Sequence, residues 1–406
     1  MDVSRYTNTK ELRFTIEFVT PCFLGGADGN AEVRTAPFKN LLRRWWRIVN
    51  GNLQTEELWK QEAELFGSKE KNADTNKIFG KSKVVLQIID SKFQIQNDRN
   101  LRFGNKTIKH KEVSNTIPFE TYLGMGPIFW NKQKGKSEYK FFPILEYCPE
   151  IKDFDKRAGK EKIIKSERKS YVSFLLKIPG DKEDCFLKIL SYIHYFGTIG
   201  SRSRNGWGSL FVEDISCNAE KKELLKPKEL KDSAVDWDVI LENEKKYPSS
   251  IAKDENGLLC WCAPQRNFWE DAMLDAAKIY SELRTNFTFN MCDFDDKKKF
   301  HKSLQSRHIL GYPVTNHDYK EWGKDVRLPS QLCMKINFNQ GKYRVQITHI
   351  PNLLPLPKIP SNNQDLPLDT QKQIQIWTQV HNFLDNYEIK NDKGEIKKLS
   401  RFGGAL

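Results

Sequence analysis

Leu12, Phe14, Ile16 and Phe18 alternate with Arg13, Thr15 and Glu17, the period of two that marks a half-buried strand, and Pro21 ends it. The next apolar pattern has a different period. Phe38, Leu41, Leu42, Trp45 and Val49 recur at i, i+3, i+4, i+7 and i+11, one stripe of an amphipathic helix. Thr35 can cap that helix, and Pro37 suits its first turn. Residues 56–66 predict a second, shorter helix ending at Gly67, and residues 84–89 a buried strand. Residues 171–178 predict another strand, 181–196 a helix with Phe186, Leu187, Leu190, Ile193 and Tyr195 facing inward, and 207–215 a further strand.

In chain order these read β, α, β, a long excursion over about 91–170, then β, α, a glycine-rich loop and β. That is the βαββαβ pattern of a ferredoxin-like domain, an α+β architecture with its helices on one face of an antiparallel sheet. The open face of such a sheet is where RNA-binding domains of this topology commonly work. The excursion carries 105–111, the turn-rich Gly124-Met125-Gly126-Pro127 and a charged run from 152 to 169, and reads as partly mobile. Residues 217–256, rich in Lys and Glu, read as a linker with helical pieces. Beyond it, 258–261 predicts a strand, 269–284 a helix, 332–338 and 343–350 a hairpin with its turn at Asn339-Gln340-Gly341, and 371–386 a helix. The ending Ser400-Arg401-Phe402-Gly403-Gly404 echoes the first glycine loop, so 257–406 reads as a degenerate second copy of 1–216. On that reading the chain stops where the copy's last strand should begin.

The balance of charge narrows the function. Sixty-six Lys and Arg face 53 Asp and Glu in 406 residues, a formal net charge of +13. Such an excess suggests a polyanionic partner, most simply nucleic acid. There is no apolar run of about 18 residues and no export signal at the N-terminus, which argues against a membrane and for the cytoplasm. The eight cysteines form no CxxC pair and read as reduced and mostly buried. Cys260-Trp261-Cys262 with Cys292 or His301 offers zinc-ligand chemistry at a spacing that matches no known ligand pattern, so neither metal nor cofactor is expected.

Two stretches concentrate candidate chemistry. In Gly197-Thr198-Ile199-Gly200-Ser201-Arg202-Ser203-Arg204-Asn205-Gly206-Trp207-Gly208, four glycines frame two arginines. Such a loop can lay backbone N–H groups along phosphates while arginine forks add bidentate donors. It can equally be a glycine-rich connection with solvated arginines. On the first predicted helix, Lys39, Arg43, Arg44 and Arg47 crowd the polar side with no acid among them. Like charges at i, i+4 repel, and a polyanion lying across them would relieve the repulsion.

The opening strand, Phe23-Leu24-Gly25-Gly26-Ala27, Arg34 and the helix Phe38-Lys39-Asn40-Leu41-Leu42-Arg43-Arg44-Trp45-Trp46-Arg47 resemble RAMP-superfamily proteins of CRISPR systems. Within them the likeness is to the first-numbered Cmr subunit of type III-B effector complexes. The loop at 197–208 resembles the superfamily's late glycine-rich turn. The two motifs span about 70 residues; past residue 216 the resemblance thins to overall length and the Ser-Arg-Phe-Gly-Gly ending. It implies two ferredoxin-like domains and a non-catalytic role: holding the 3′ region of a guide RNA and helping capture target RNA beside other Cmr-complex RAMP subunits. Carried over, RNA contacts fall to Arg34, Lys39, Arg43, Arg44, Arg47, Gly200, Ser201, Arg202, Ser203, Arg204, Asn205 and Gly206. Trp45 lies on the apolar stripe and belongs to the core, whereas Trp46 lies off it and could stack on a base. The alternative is a RAMP ribonuclease. Related subunits cut RNA with an aspartate in the loop after the first strand, where Asp28 sits, and guide-processing relatives use a histidine, for which His194 is the candidate. A purely structural cap that uses its charge on protein partners is the third reading.

Overall fold

A computed structural model describes residues 8–26, 30–71, 78–96, 106–145, 150–155, 160–165, 170–242, 250–323, 325–352, 354 and 370–403. The main elements are β1 (Thr9–Phe18), α1 (Thr35–Val49), α2 (Thr55–Phe66), β2 (Val85–Lys92), the hairpin β3 (Thr107–Lys109) and β4 (Thr116–Pro118), α3 (Phe119–Gly124), β5 (Tyr171–Pro179), α4 (Glu183–Phe196) and β6 (Leu210–Cys217). The second half supplies β7 (Cys260–Cys262), α5 (Trp269–Asn286), α6 (Ser306–Ile309), β8 (Leu332–Asn339), β9 (Lys342–His349), α7 (Thr370–Asn386) and β10 (Ser400–Arg401).

The first sheet runs β6-β1-β5-β2, antiparallel throughout, with a two-residue strand at 220–221 on the β6 edge. Its alternating strands turn Leu12, Phe14, Ile16 and Phe18 inward, all nearly inaccessible. Phe14 faces Phe174 across the β1–β5 register, and Phe38 of α1 packs on Phe174 at 4.7 Å between ring centroids. The α1 stripe therefore meets the apolar face of the sheet, and α4 lies alongside it. The second sheet runs β8-β9-β7-β10, again antiparallel. Taken in chain order, each sheet places its fourth strand beside its first, then the third, then the second. The β8–β9 turn has positive φ at both Gln340 and Gly341, the geometry that suits a two-residue hairpin turn.

Several expectations need correction. The chain does not stop short of the second copy's last strand: β10 pairs Arg401 with Trp261 and Ser400 with Cys262. Trp207 is not in a strand. Gly206 and Gly208 both hold positive φ, so the backbone turns there, and β6 begins only at Leu210. Residues 106–145 are not a loose excursion. Ile108, Phe119, Leu123, Ile128 and Tyr139 join one buried cluster with Ala272, Met273 and Ala276 of α5 and with Trp207. Lys106 Nζ reaches Asp271 on α5 at 2.6 Å. The charged run at 152–169 lies partly outside the described residues. The described parts of 217–256 have the expected helical pieces, but Leu230, Trp237, Leu241 and Ile251 are buried, so these parts are packed rather than suspended. The other core cluster likewise joins first-half residues to Cys260, Cys333, Ile350 and Phe402. The two sheets thus share their cores.

Among the described residues, five of the cysteines are buried and Cys292 is exposed, with none in a disulfide. No helix among them is long and apolar enough to cross a membrane.

Candidate nucleic-acid interface

The basic face of α1 finds its counter-charge one helix away. Glu62 of α2 is buried, and its carboxylate accepts from Arg43 Nε, from Arg47 Nε at 2.5 Å and from Arg47 Nη2 at 2.5 Å. Burial pushes the Glu62 carboxyl up, but the bonds from Arg47 and Arg43 together outweigh that and hold it below the usual carboxylate value. Lys39 Nζ donates to Val84 O at 2.9 Å, and Arg44 Nη2 lies 3.9 Å from Cys333 Sγ of the second sheet. The repulsion read from the sequence is thus relieved internally. Arg34 stays exposed, 4.0 Å from Glu32. Trp46 is no stacking platform here: it is 3% exposed, its ring edge-on to Phe66 at 6.2 Å. It lies off the stripe of α1 because α2 covers that side.

The glycine loop is a brace rather than a phosphate nest. Ile199 N donates to Gly208 O at 3.0 Å, Ser201 N to Phe23 O at 3.0 Å, Asn205 N to Arg202 O at 2.9 Å and Gly208 N to Pro21 O at 2.8 Å, so these amides are already engaged. Gly200 and Gly208 are needed for contact as well as for positive φ. A Cβ on Gly200 would fall 2.6 Å from Phe23 O, and one on Gly208 only 1.9 Å from Ile199 O. Gly206 is buried, its carbonyl accepting from Thr20 Oγ1 at 2.8 Å. The loop also joins the two sheets. Met334 N donates to Arg204 O at 2.8 Å and Ile336 N to Ser209 Oγ at 2.8 Å, while Asn205 Nδ2 reaches Leu123 O of α3 at 2.8 Å. Asn205 is therefore committed to holding α3. Arg204 Nη1 donates to Ser330 O.

Arg202 differs from its neighbours. It is exposed and holds φ at +57°, and its guanidinium has no hydrogen-bond or ion-pair partner among the described residues. A non-glycine residue in that region costs of order 1 kcal/mol, and such outliers gather at functional sites. Arg202 lines a cleft of about 760 Å³ together with Arg204, Arg284, Arg307 and Arg327. Three parts of the chain meet there: the glycine loop, the C-terminal end of α5 with the segment from α6 to residue 330, and His110 and Tyr122 from the 106–145 region. Five guanidinium groups line this cleft, and no Asp or Glu does. Ser203 and Asn205 are on its wall, as are the rings of Tyr122, Tyr280 and Tyr312. Arg284 Nη1 donates to Tyr280 Oη at 3.2 Å. Desolvation lowers the Arg202 guanidinium from its ordinary value, and Tyr280 offsets this only in part. Chemically, the cleft offers forked donors for phosphate oxygens and ring faces for bases.

Of the residues expected from the sequence, the fold brings Arg202, Ser203, Arg204 and Asn205 into this cleft. It places Arg34, Lys39, Arg43, Arg44, Trp46 and Arg47 elsewhere, and uses Gly200, Ser201 and Gly206 through their backbone. Arg284, Arg307 and Arg327 join the cleft from separate parts of the chain, where no sequence pattern singles them out.

Asp28 lies outside the described residues. His194 lines a separate cavity of about 490 Å³, with Nδ1 2.9 Å from Val212 O. Burial, with a smaller contribution from Lys335, pushes it down to about 4, so it is uncharged at neutral pH. Nearby, Lys335 Nζ lies 3.4 Å from Ile193 O and also donates to His194 O, closing the C-terminal end of α4.

Residues 15–211 match the sequence model of the RAMP superfamily. No curated protein matches the sequence. Among solved structures, the chain is similar to the apo crystal structure of Cmr1 from Pyrococcus furiosus, with 17% identity, 91% of this chain and 96% of that one covered, and a TM-score of 0.42. It is also similar to a chain of the type III-B Cmr-beta complex bound to cognate target RNA, with 15% identity, 84% and 94% covered, and a TM-score of 0.40.

Proposed function

We propose that this chain, whose residues 15–211 match the sequence model of the RAMP superfamily, is a non-catalytic RNA-binding subunit of a type III-B CRISPR (Cmr) effector ribonucleoprotein. In this reading it holds the 3′ region of the guide RNA and helps capture target RNA for antiviral defence in the cytoplasm, alongside other RAMP subunits. The two sheets, each with its strands in the order fourth, first, third, second, support a pair of ferredoxin-like domains. The observation that carries the function is the cleft: five arginines line it with no carboxylate among the lining residues. Guide sequences vary, so a guide-holding surface must grip the backbone and ignore the bases. Arginine forks on phosphates do this, and aromatic faces accept any base.

The test is to purify the tagged protein from its host, extract the co-purifying nucleic acid and sequence it. Short RNAs sharing a 5′ segment, with variable spacer-derived remainders, are the expected result. Random cellular RNA, or none, would overturn the guide-complex role. Non-catalysis is tested separately. At each metal condition, the assembled complex should cleave target RNA as well with Asp28→Ala or His194→Ala as with the wild-type subunit. A variant that abolishes cleavage would put the active group in this chain.

A further inference from the structure

One arginine of the cleft is held by a carboxylate. Arg307 of α6 is 6% exposed, and both terminal nitrogens of its fork are engaged by Glu112: Nη1 by Oε1, and Nη2 by Oε2 at 3.0 Å. Its guanidinium carbon lies over the Phe289 ring, 5.2 Å from the ring centre. Its Nε is buried with no partner among the described residues. The carboxylate side of the pair is built differently. Glu112 belongs to the exposed turn 111–115 between β3 and β4, and its side chain is 47% exposed.

The pair is therefore asymmetric. The cation is stacked, buried and pre-aimed, and the anion is half in water at the end of a turn. Apart from this pair, the Glu112 backbone N–H donates to His110 Nδ1 at 3.2 Å. The hairpin is held independently by Ile108 in the core and by Lys106 on Asp271. A carboxylate and a phosphate present the same two-oxygen edge to a guanidinium fork. An empty cleft with Arg307 uncompensated would leave a buried charge without its partner, which is costly. Glu112 removes that cost in the free protein and can swing out when a phosphate arrives.

We propose that Arg307 is a masked phosphodiester subsite of the cleft, its fork filled in the free protein by the Glu112 carboxylate, which an RNA phosphate displaces. The inference rests on the reading of the cleft as an RNA site. It adds that one subsite opens only by exchange, so that RNA affinity is held below what the five arginines could give.

The test is RNA affinity at low salt, by fluorescence anisotropy with a mixed-sequence labelled RNA, on the full chain. Glu112→Gln should bind about five-fold tighter, the factor that breaking one half-exposed ion pair withholds. Arg307→Gln should bind more weakly, and the double variant should show none of the Glu112→Gln gain. A gain that persists without Arg307 would mean a general loss of negative charge rather than unmasking, and would overturn the proposal. So would unchanged or weaker binding by Glu112→Gln at unchanged melting temperature. If that variant melts early, Glu112→Asp, whose shorter arm keeps the charge but loses the fork, should tighten binding in the same direction, and no tightening overturns the proposal. Arg202→Ala separates the two layers. If it weakens binding while Glu112→Gln changes nothing, the masking falls alone; if wild type binds no RNA at low salt, the reading of the cleft falls and the subsite with it.

Discussion

Arg202→Ala is the sharpest test of the cleft, because its effect is a slope rather than a loss. A protein that neutralises Z phosphates of a single strand loses affinity with salt along a line of slope about −0.7Z on logarithmic axes. Five arginines line the cleft, so Z reaches at most five there. The limiting slope is about −3.5, and raising salt fourfold, from about 50 to about 200 mM, costs roughly 100-fold in affinity. The Arg202 guanidinium has no hydrogen-bond or ion-pair partner among the described residues. Truncating it should therefore make the slope shallower by about 0.7 and weaken binding at low salt by about ten-fold, the worth of one charge-assisted hydrogen bond. The loss should be the same for RNAs of unrelated sequence, since phosphates carry no sequence. Alanine keeps the Cβ, so the cost of positive φ is nearly unchanged and the melting temperature should hold. The assay is anisotropy across a salt series for wild type, Arg202→Ala and, as the contrast, Arg47→Ala, whose guanidinium is bound to Glu62. An unchanged slope in Arg202→Ala, or an equal flattening in Arg47→Ala, would refute the reasoning.

Three further outcomes follow from the packing. Gly208→Ala puts a Cβ 1.9 Å from Ile199 O at φ +63°, and should destabilise by about 3 kcal/mol in denaturant melts, lowering RNA binding only through the unfolded fraction. Trp46→Ala should cost about 3 kcal/mol in stability by emptying its place against Phe66, with the salt slope of RNA binding unchanged. Glu62→Gln should cost about 2 kcal/mol at neutral pH, reduced from a fully buried pair because Arg43 and Arg47 are 36% and 37% exposed. The folded-state carboxyl sits below its ordinary value, so its contribution is complete above about pH 4.5 and fades as pH falls through the folded value. Melts from pH 7 to pH 3 should therefore converge for wild type and variant on the acid side, and parallel curves would contradict the ion-pair account.

The elements that the sequence reveals are those with a period. Alternation in 12–18, the stripe from Phe38 to Val49 and the Asn339-Gln340-Gly341 turn each encode a local geometry, and β1, α1 and the β8–β9 hairpin lie where the patterns put them. Short elements without a period escape. β10 is only two residues long and owes its existence to pairing with β7, a partner about 140 positions away. The 106–145 region misleads for a related reason. It is rich in turns, and its apolar residues form no single stripe, yet Ile108, Phe119 and Leu123 are buried because α5 supplies the other half of their core.

The candidate site shows the same divide in charge rather than in packing. Arginines close together in sequence drew attention to α1, and that closeness is the reason they are not open. Cations one turn apart on a helix repel in the folded state, so a stable fold must answer them, and Glu62 does so from the next helix. The arginines of the cleft are instead spread across elements, where no single helix bears their repulsion. Arg202 at the end of a tight turn, Arg284 at the C-terminal end of α5 and Arg307 on α6 are each unremarkable alone, and Arg284 even suits the dipole of its helix. They meet because the glycine loop bonds to β8 and α3, and α3 packs on α5. The four glycines of the loop therefore bear on RNA binding indirectly: they let the backbone pack closely enough for arginines from both halves of the chain to line one cleft.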